Sequence, residues 1–256
     1  MTDIVVQSAS NAADLGFRAL ADLAAAAAGL DYRVIGGHMV HLLTYVYPAS
    51  DAHQRATADA DAGISPEIAG SPDLDTKLVG RGYTRVRGNR WEAPSGDPDH
   101  PLAVDLLVPA TSGQGRETKF FGDKKFGFDA IPGLSLALYS QPLDVAVHAQ
   151  LYNGESTTFT VCIPDVESAV VLKALAWNSR HHPKDVEDLS SLMAIVHQHR
   201  DDLRVWKLDQ PCTGSRKDAA RVLRGLATMA DKGQRITGLR MAHARFSALI
   251  QRYIHG

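Results

Sequence analysis

The segment TADADAG, Thr57 to Gly63, sets two aspartates two residues apart in a run that is otherwise small and apolar. On a strand, where side chains alternate, Asp59 and Asp61 point to one face a few ångströms apart. Such a pair is costly unless something cationic lies between them. A third carboxylate, Asp105, stands in PLAVDLLVP with apolar residues on both sides, where an unpaired buried charge costs several kcal/mol. Two carboxylates on one strand face, approached by a third from a neighbouring strand, form an oxygen cage suited to hard divalent cations. Two such ions about 4 Å apart activate an attacking hydroxyl and neutralise a leaving pyrophosphate. These residue types therefore predict metal-assisted transfer at phosphorus.

Gly36 and Gly37 follow the short predicted strand YRVI and precede a predicted helix from His38 to Tyr47. Glycine there lets backbone N–H groups close on a phosphate, and the helix N-terminus adds partial positive charge. Each pair has a plainer reading when taken singly: Gly-Gly as a tight turn, Asp-x-Asp as an exposed edge or loop. The order strand, Gly-Gly, helix, Asp-x-Asp strand, then a lone aspartate in an apolar strand is far more restrictive.

The elements that must position these residues divide the chain into a mixed α/β region, 1–164, and an all-helical region, 165–256, an α+β organisation in two domains. In the first region the patterns predict an amphipathic helix carrying Asp14, Arg18 and Asp22 and closed by Gly29, a helical stretch within Pro66 to Val79, and a strand or hairpin arm in GYTRVRGNRW. LSLALYS, LDVAVHAQL and STTFTVCIP read as three more strands, and the segment from Thr111 to Gly127 as a Gly- and Lys-rich loop whose Lys119, Lys124 and Lys125 suit a polyanion. Four helices follow.

At 256 residues with 45% hydrophobic and 22% charged side chains, the chain has a globular composition, which excludes disorder and a fibrous repeat. Two cysteines are too few for a disulfide framework and lack zinc spacing. The alanine-rich ALADLAAAAAGL lacks the basic flank of a secretory signal, and no run reaches membrane-spanning length, so a cytoplasmic protein without membrane contact is expected. Charge is uneven: Asp201 to Gly256 carries eleven Lys or Arg against five Asp and no Glu.

The segments IGGHMVHLL, RATADADAGI and AVDLLVP resemble the signature of the DNA polymerase β-like nucleotidyltransferase superfamily. The stretch ESAVVLKALAWNSRHHPKDVEDL is similar to the Lys, Arg and Lys-Asp pattern of the AbiEii/AbiGii-type nucleotidyltransferases, which include MenT-like toxins. The resemblance spans about Tyr32 to Leu189. It implies that Asp59, Asp61 and Asp105 hold Mg2+ or Mn2+, with Asp105 helping to deprotonate an acceptor hydroxyl. It implies that Gly36 and Gly37 frame the triphosphate of an NTP, with Arg55 and Thr57 on the strand that brings in the aspartates. Lys173 and Arg180, seven apart on one helical face, would reach the phosphates, and Lys184 and Asp185 would supply the Lys-Asp step. The chain departs from the usual form in a longer spacer between Gly37 and Asp59 and in His38, where a small hydroxyl residue is frequent. The plainer readings make Lys173 a surface residue covering apolar area, Asp185 and Asp188 first-turn charges of a helix that Pro183 starts, and His181 and His182 a solvated turn.

Lys217, Arg221 and Arg224 recur at steps of four and three on one helical stripe, the pattern that tracks a nucleic-acid backbone. With the resemblance, the stripe points to an RNA acceptor, the 3′ end of tRNA, and to a translation-blocking toxin with a cognate antitoxin. The alternatives are the same transfer to a small molecule or a protein hydroxyl, or a silent domain that binds a nucleotide or a partner.

Overall fold

In the computed structural model, residues 1–97, 99–111, 117–121 and 126–256 are described. Lys124 and Lys125 lie outside them. The fold is α+β. In chain order the elements are β1 (Thr2–Gln7), α1 (Asn11–Ala26), β2 (Tyr32–Val34), α2 (Gly36–Val46), β3 (Asp59–Ile64), α3 (Pro66–Gly70), α4 (Asp73–Val79), β4 (Thr84–Arg87), β5 (Arg90–Ala93), β6 (Leu102–Pro109), β7 (Glu117–Lys119), β8 (Phe128–Ile131), α5 (Leu134–Tyr139), β9 (Leu143–Gln150) and β10 (Ser156–Ile163). The helices α6 (Val166–Arg180), α7 (Pro183–His199), α8 (Gly214–Asp231) and α9 (His243–Tyr253) complete the chain.

The larger sheet has the path β2-β3-β6-β5-β4, with β8 taking over the edge of β6 beyond the end of β5, and β7 pairing with β8. Its central strand, β6, buries Leu102, Val104, Leu106 and Val108 on one face, which leaves the alternate face for Asp105 and Leu107. That alternation decides the site, because Leu107 of β6 and Asp61 of β3 line a cleft with α6. Strands β1, β9 and β10 form a separate three-stranded sheet. Helix α1 packs on β3, β6 and β10 through Phe17, Leu20 and Leu23, and its first turn is closed by Ser10, whose hydroxyl accepts from the Ala13 N–H at 3.2 Å.

Three expectations are corrected. LSLALYS is helix α5, not a strand: Leu134 and Ala137 are its buried positions, a three-residue step that a short apolar run does not distinguish from a strand pattern. The stretch from Pro66 to Val79 is two helices broken at Ser71 and Pro72. Arg55 and Thr57 precede β3 rather than lying on it. Three strands were not anticipated, among them β7 inside the segment read as a loop. β1 buries Ile4 and Val6 and pairs in parallel with β9 some 140 residues away. β8 has four residues and lies between β6 and β7.

Candidate active site on the inner sheet face

The parallel register of β3 and β6 sets Asp61 opposite Asp105 and Asp59 opposite Ala103. The three aspartates therefore share one face, as the strand period predicts. On the other side of β6, Arg90 of β5 is the register partner of Asp105. Its guanidinium reaches Asp105 Oδ2 at 3.0 Å, Asp59 Oδ1 at 3.4 Å and Glu92 Oε1 at 2.7 Å, while Asn89 donates to Asp105 Oδ1 at 2.8 Å. The cation between the carboxylates is thus, here, an arginine that the sequence reading did not name.

Asp61 is left out of that network. Among the described residues no hydrogen bond or ion pair engages its carboxylate. Burial, then repulsion from Asp105, pushes its pKa up to about 7. Burial also raises Asp105, with Arg90 opposing. Among the described residues, no group of three or more His, Cys, Asp or Glu is already gathered so as to hold a metal ion. The donors nevertheless suit a hard cation: all are carboxyl oxygens, and Asp61 is half-buried and, among the described residues, unpaired.

The glycine pair opens α2. Gly36 has φ of +68°, and a Cβ there would overlap Asp61 Oδ2. A Cβ on Gly37 would overlap Thr57 Oγ1 and press on the Arg55 guanidinium. Close approach of Asp61, Thr57 and Arg55 to this turn thus requires glycine at both positions. The Ile35 N–H donates to the Asp61 carbonyl at 2.9 Å, locking the turn to β3.

Opposite the sheet stand α6 and α7. Lys173 is buried, and its Nζ lies 2.6 Å from Asp188 Oδ2 and 3.6 Å from Asp185 Oδ1, which overturns the surface reading. Arg180 grips Asp185 with two bonds of 2.7 and 2.6 Å. Arg55 grips Asp188 at 2.8 and 2.9 Å and reaches Thr57 Oγ1 at 3.1 Å. Burial alone would raise the Asp188 carboxyl; Lys173 and Arg55 hold it below the usual range. Between the helices His181 takes a left-handed conformation with φ of 50°, His182 caps α7 and Pro183 fills its first turn. Asp185 is both a first-turn residue and a buried ion-pair partner.

Asp61, Gly36, Lys173 and Arg180 line one cleft between the sheet and α6. Lys184 is exposed on the first turn of α7 and does not line it. Asp129 of β8 does, and sequence reasoning passed over it. Its signal was available in GFDAIP, one carboxylate in an apolar strand, as at Asp105.

No protein-family model matches the chain, and no curated protein matches it by sequence. Among solved structures it is similar to the Elizabethkingia meningoseptica CdnE cyclic dinucleotide synthase with GTP and Apcpp, at 9% identity and a TM-score of 0.26 over 98% of this chain and 93% of that one. An overlap that loose carries no argument. No helix among the described residues is long and apolar enough to cross a membrane.

On α8, Lys217 and Arg221 are exposed, with Arg221 3.3 Å from Asp218. Arg224 is half-buried and donates to the His255 carbonyl. Arg216 turns inward to Glu167, at 2.6 Å. Glu167 is fully buried and also accepts from the backbone N–H groups of Lys207 and Leu208, tying the α7–α8 connection to α6. Lys119 donates to the Pro109 carbonyl at 2.7 Å and so is not a free loop cation.

Proposed function

We propose that this chain is a divalent-cation-dependent nucleotidyltransferase that moves NMP from an NTP to an RNA hydroxyl. The observation that carries the reading is Asp61, in register with Asp105 and beside Gly36, lining one cleft with Lys173 and Arg180. Asp59, Asp61 and Asp105 would hold Mg2+ or Mn2+, which supplies charge neutralisation at the reacting phosphate. The N-terminus of α2 and the Lys173 and Arg180 side chains bind the triphosphate. Asp188 and Asp185 hold those cations in place, and Arg55 closes on the glycine turn. The acceptor hydroxyl oxygen bonds to the α-phosphorus, its proton passes to Asp105, and the bond to the β-phosphate oxygen breaks to release pyrophosphate.

The acceptor that fits the basic stripe is RNA. Of the stripe, the exposed Lys217 and Arg221 follow its backbone, and the tRNA 3′ end is the site of addition. Blocking that end stops aminoacylation, so the activity is toxic and a cognate antitoxin restrains it. The test is incubation of the purified protein with each α-labelled NTP, Mg2+ and total RNA. Wild type labels tRNA at its 3′ end, and Asp61→Ala labels nothing while remaining folded by circular dichroism. Full labelling by Asp61→Ala overturns the assignment; labelled RNA other than tRNA overturns the acceptor alone.

A further inference from the structure

The cleft has two unlike ends. Helix α6 presents Lys173 and Arg180 on one stripe and Leu172 and Ala176 on the next. The charged stripe stands over Asp61 and Gly36. The apolar stripe faces Leu107, Ile131 and Pro132 at the far end of the sheet. The register of β6 with β8, Val108 opposite Ala130, brings Asp129 beside Leu107 one step earlier, on the face that carries Asp105. Strand spacing puts the Asp129 Cα about 8 Å from that of Asp105 and about 12 Å from that of Asp61. Among the described residues no hydrogen bond or ion pair engages its carboxylate.

We propose that the apolar end takes the nucleobase and that Asp129 selects guanine; the inference rests on the nucleotidyl-transfer reading. Apolar lining from the sheet side, Leu107, Ile131 and Pro132, and from α6, Leu172 and Ala176, suits a base, whereas a ribose would leave it against hydroxyls. A carboxylate accepts hydrogen bonds and donates none. Guanine offers two adjacent donors, N1–H and the N2 amino group, which match the two carboxylate oxygens. Uracil sets its single N–H between two carbonyl oxygens that the carboxylate repels. Adenine and cytosine each set one amino group beside a ring-nitrogen lone pair. A site built for paired donors rejects bases that lack them, and each such bidentate contact discriminates by about tenfold to a hundredfold.

The test is calorimetric binding of GTP, ATP, CTP, UTP and xanthosine triphosphate, each with Mg2+, to the full chain and to Asp129→Asn. Wild type binds GTP at least tenfold tighter than the other nucleotides. Asp129→Asn loses that preference and gains at least tenfold for xanthosine triphosphate, whose O2 accepts from the new amide. A damaged fold does not produce that gain. Equal binding of all nucleotides by wild type overturns the role of Asp129 and leaves nucleotidyl transfer standing, as does an unaltered GTP preference or a uniform loss in the variant. Failure of wild type to bind any NTP overturns both.

Discussion

Two sets of charge lie on either side of the cleft that Asp61, Lys173 and Arg180 line, and they are finished to different degrees. Between α6, α7 and the segment before β3, Lys173, Arg55 and Arg180 meet Asp188 and Asp185 in a closed network. On the sheet, Arg90 serves Asp59 and Asp105 while Asp61 has no partner among the described residues. The first arrangement resembles a structural clamp, in which each charge is desolvated but answered. The second holds charge that the protein alone does not answer, as expected of a surface awaiting a ligand.

Opposite responses to removal of one carboxylate on each side test that contrast. Asp188→Ala strands Lys173 and Arg55 in the interior and should cost about 3 to 5 kcal/mol of stability. Asp61→Asn removes a carboxyl whose ionisation is opposed first by burial and then by Asp105 and should stabilise the cation-free protein by about 1 kcal/mol, discounted for its half-buried position. Urea midpoints of the two variants without divalent cation decide the matter. A loss in both, or in neither, would erase the distinction.

A third solution to buried charge lies behind the glycine turn. His38 packs on Phe17 with ring centroids 5.6 Å apart. Burial first, then His41 and Arg55, lower its pKa to about 3, and burial lowers that of His41 as well. His38 therefore folds neutral. Its folded value lies below the unfolded value of about 6.5, so the unfolded chain binds the extra proton between pH 6.5 and 3. The stability it permits is present above pH 6.5 and falls as the medium is acidified. From His38 alone the deficit at pH 5 is about 2 kcal/mol. His38→Leu should flatten the decline in chemical-denaturation midpoint between pH 7.5 and 5; an unchanged slope would show that His38 titrates normally.

What was legible in the sequence follows the same division. Asp59, Asp61 and Asp105 were readable because strand period and local apolar context are short-range facts, and the β3–β6 register confirms the shared face. Arg90 and Asp129 were not placed, because their positions depend on which strands flank β6, a long-range pairing that composition does not encode. Lys173 looked like a surface residue for a related reason. Its neighbours in sequence are apolar, and the carboxylates that make its burial tolerable arrive from the next helix. Helix periods from Val166 onward were clear throughout, whereas the six-residue α5 lay below the length at which period decides.

Arg90 sharpens the contrast within the sheet itself. If the carboxylates await a divalent cation, the arginine is a partial substitute for it. Arg90→Gln should lower stability by about 1 to 2 kcal/mol without added metal, since Asp105 and Asp59 lose their shared partner. Added Mn2+ should then raise the melting temperature of the variant more than that of wild type, because the ion answers the freed charge. Equal Mn2+ shifts in both proteins would make Arg90 a bystander and leave the sheet's charge to be explained without a cation.

The smallest effect belongs to the surface of α8. Lys217 and Arg221 are solvated, and Arg221 already faces Asp218 at 3.3 Å, so their removal should leave the fold within about 0.5 kcal/mol of wild type. Their expected role is visible only in salt dependence. Each phosphate contact contributes about 0.7 to the slope of log affinity against log salt for single-stranded RNA and about 0.9 for a duplex. Replacing both with glutamine should reduce that slope by about 1 to 2 while transfer to a short acceptor oligonucleotide is unaffected. Arg224 is left in place because its bond to the His255 carbonyl makes it part of the fold. An undiminished slope for the double variant would move the RNA path off α8 and toward the exposed Lys184 at the start of α7.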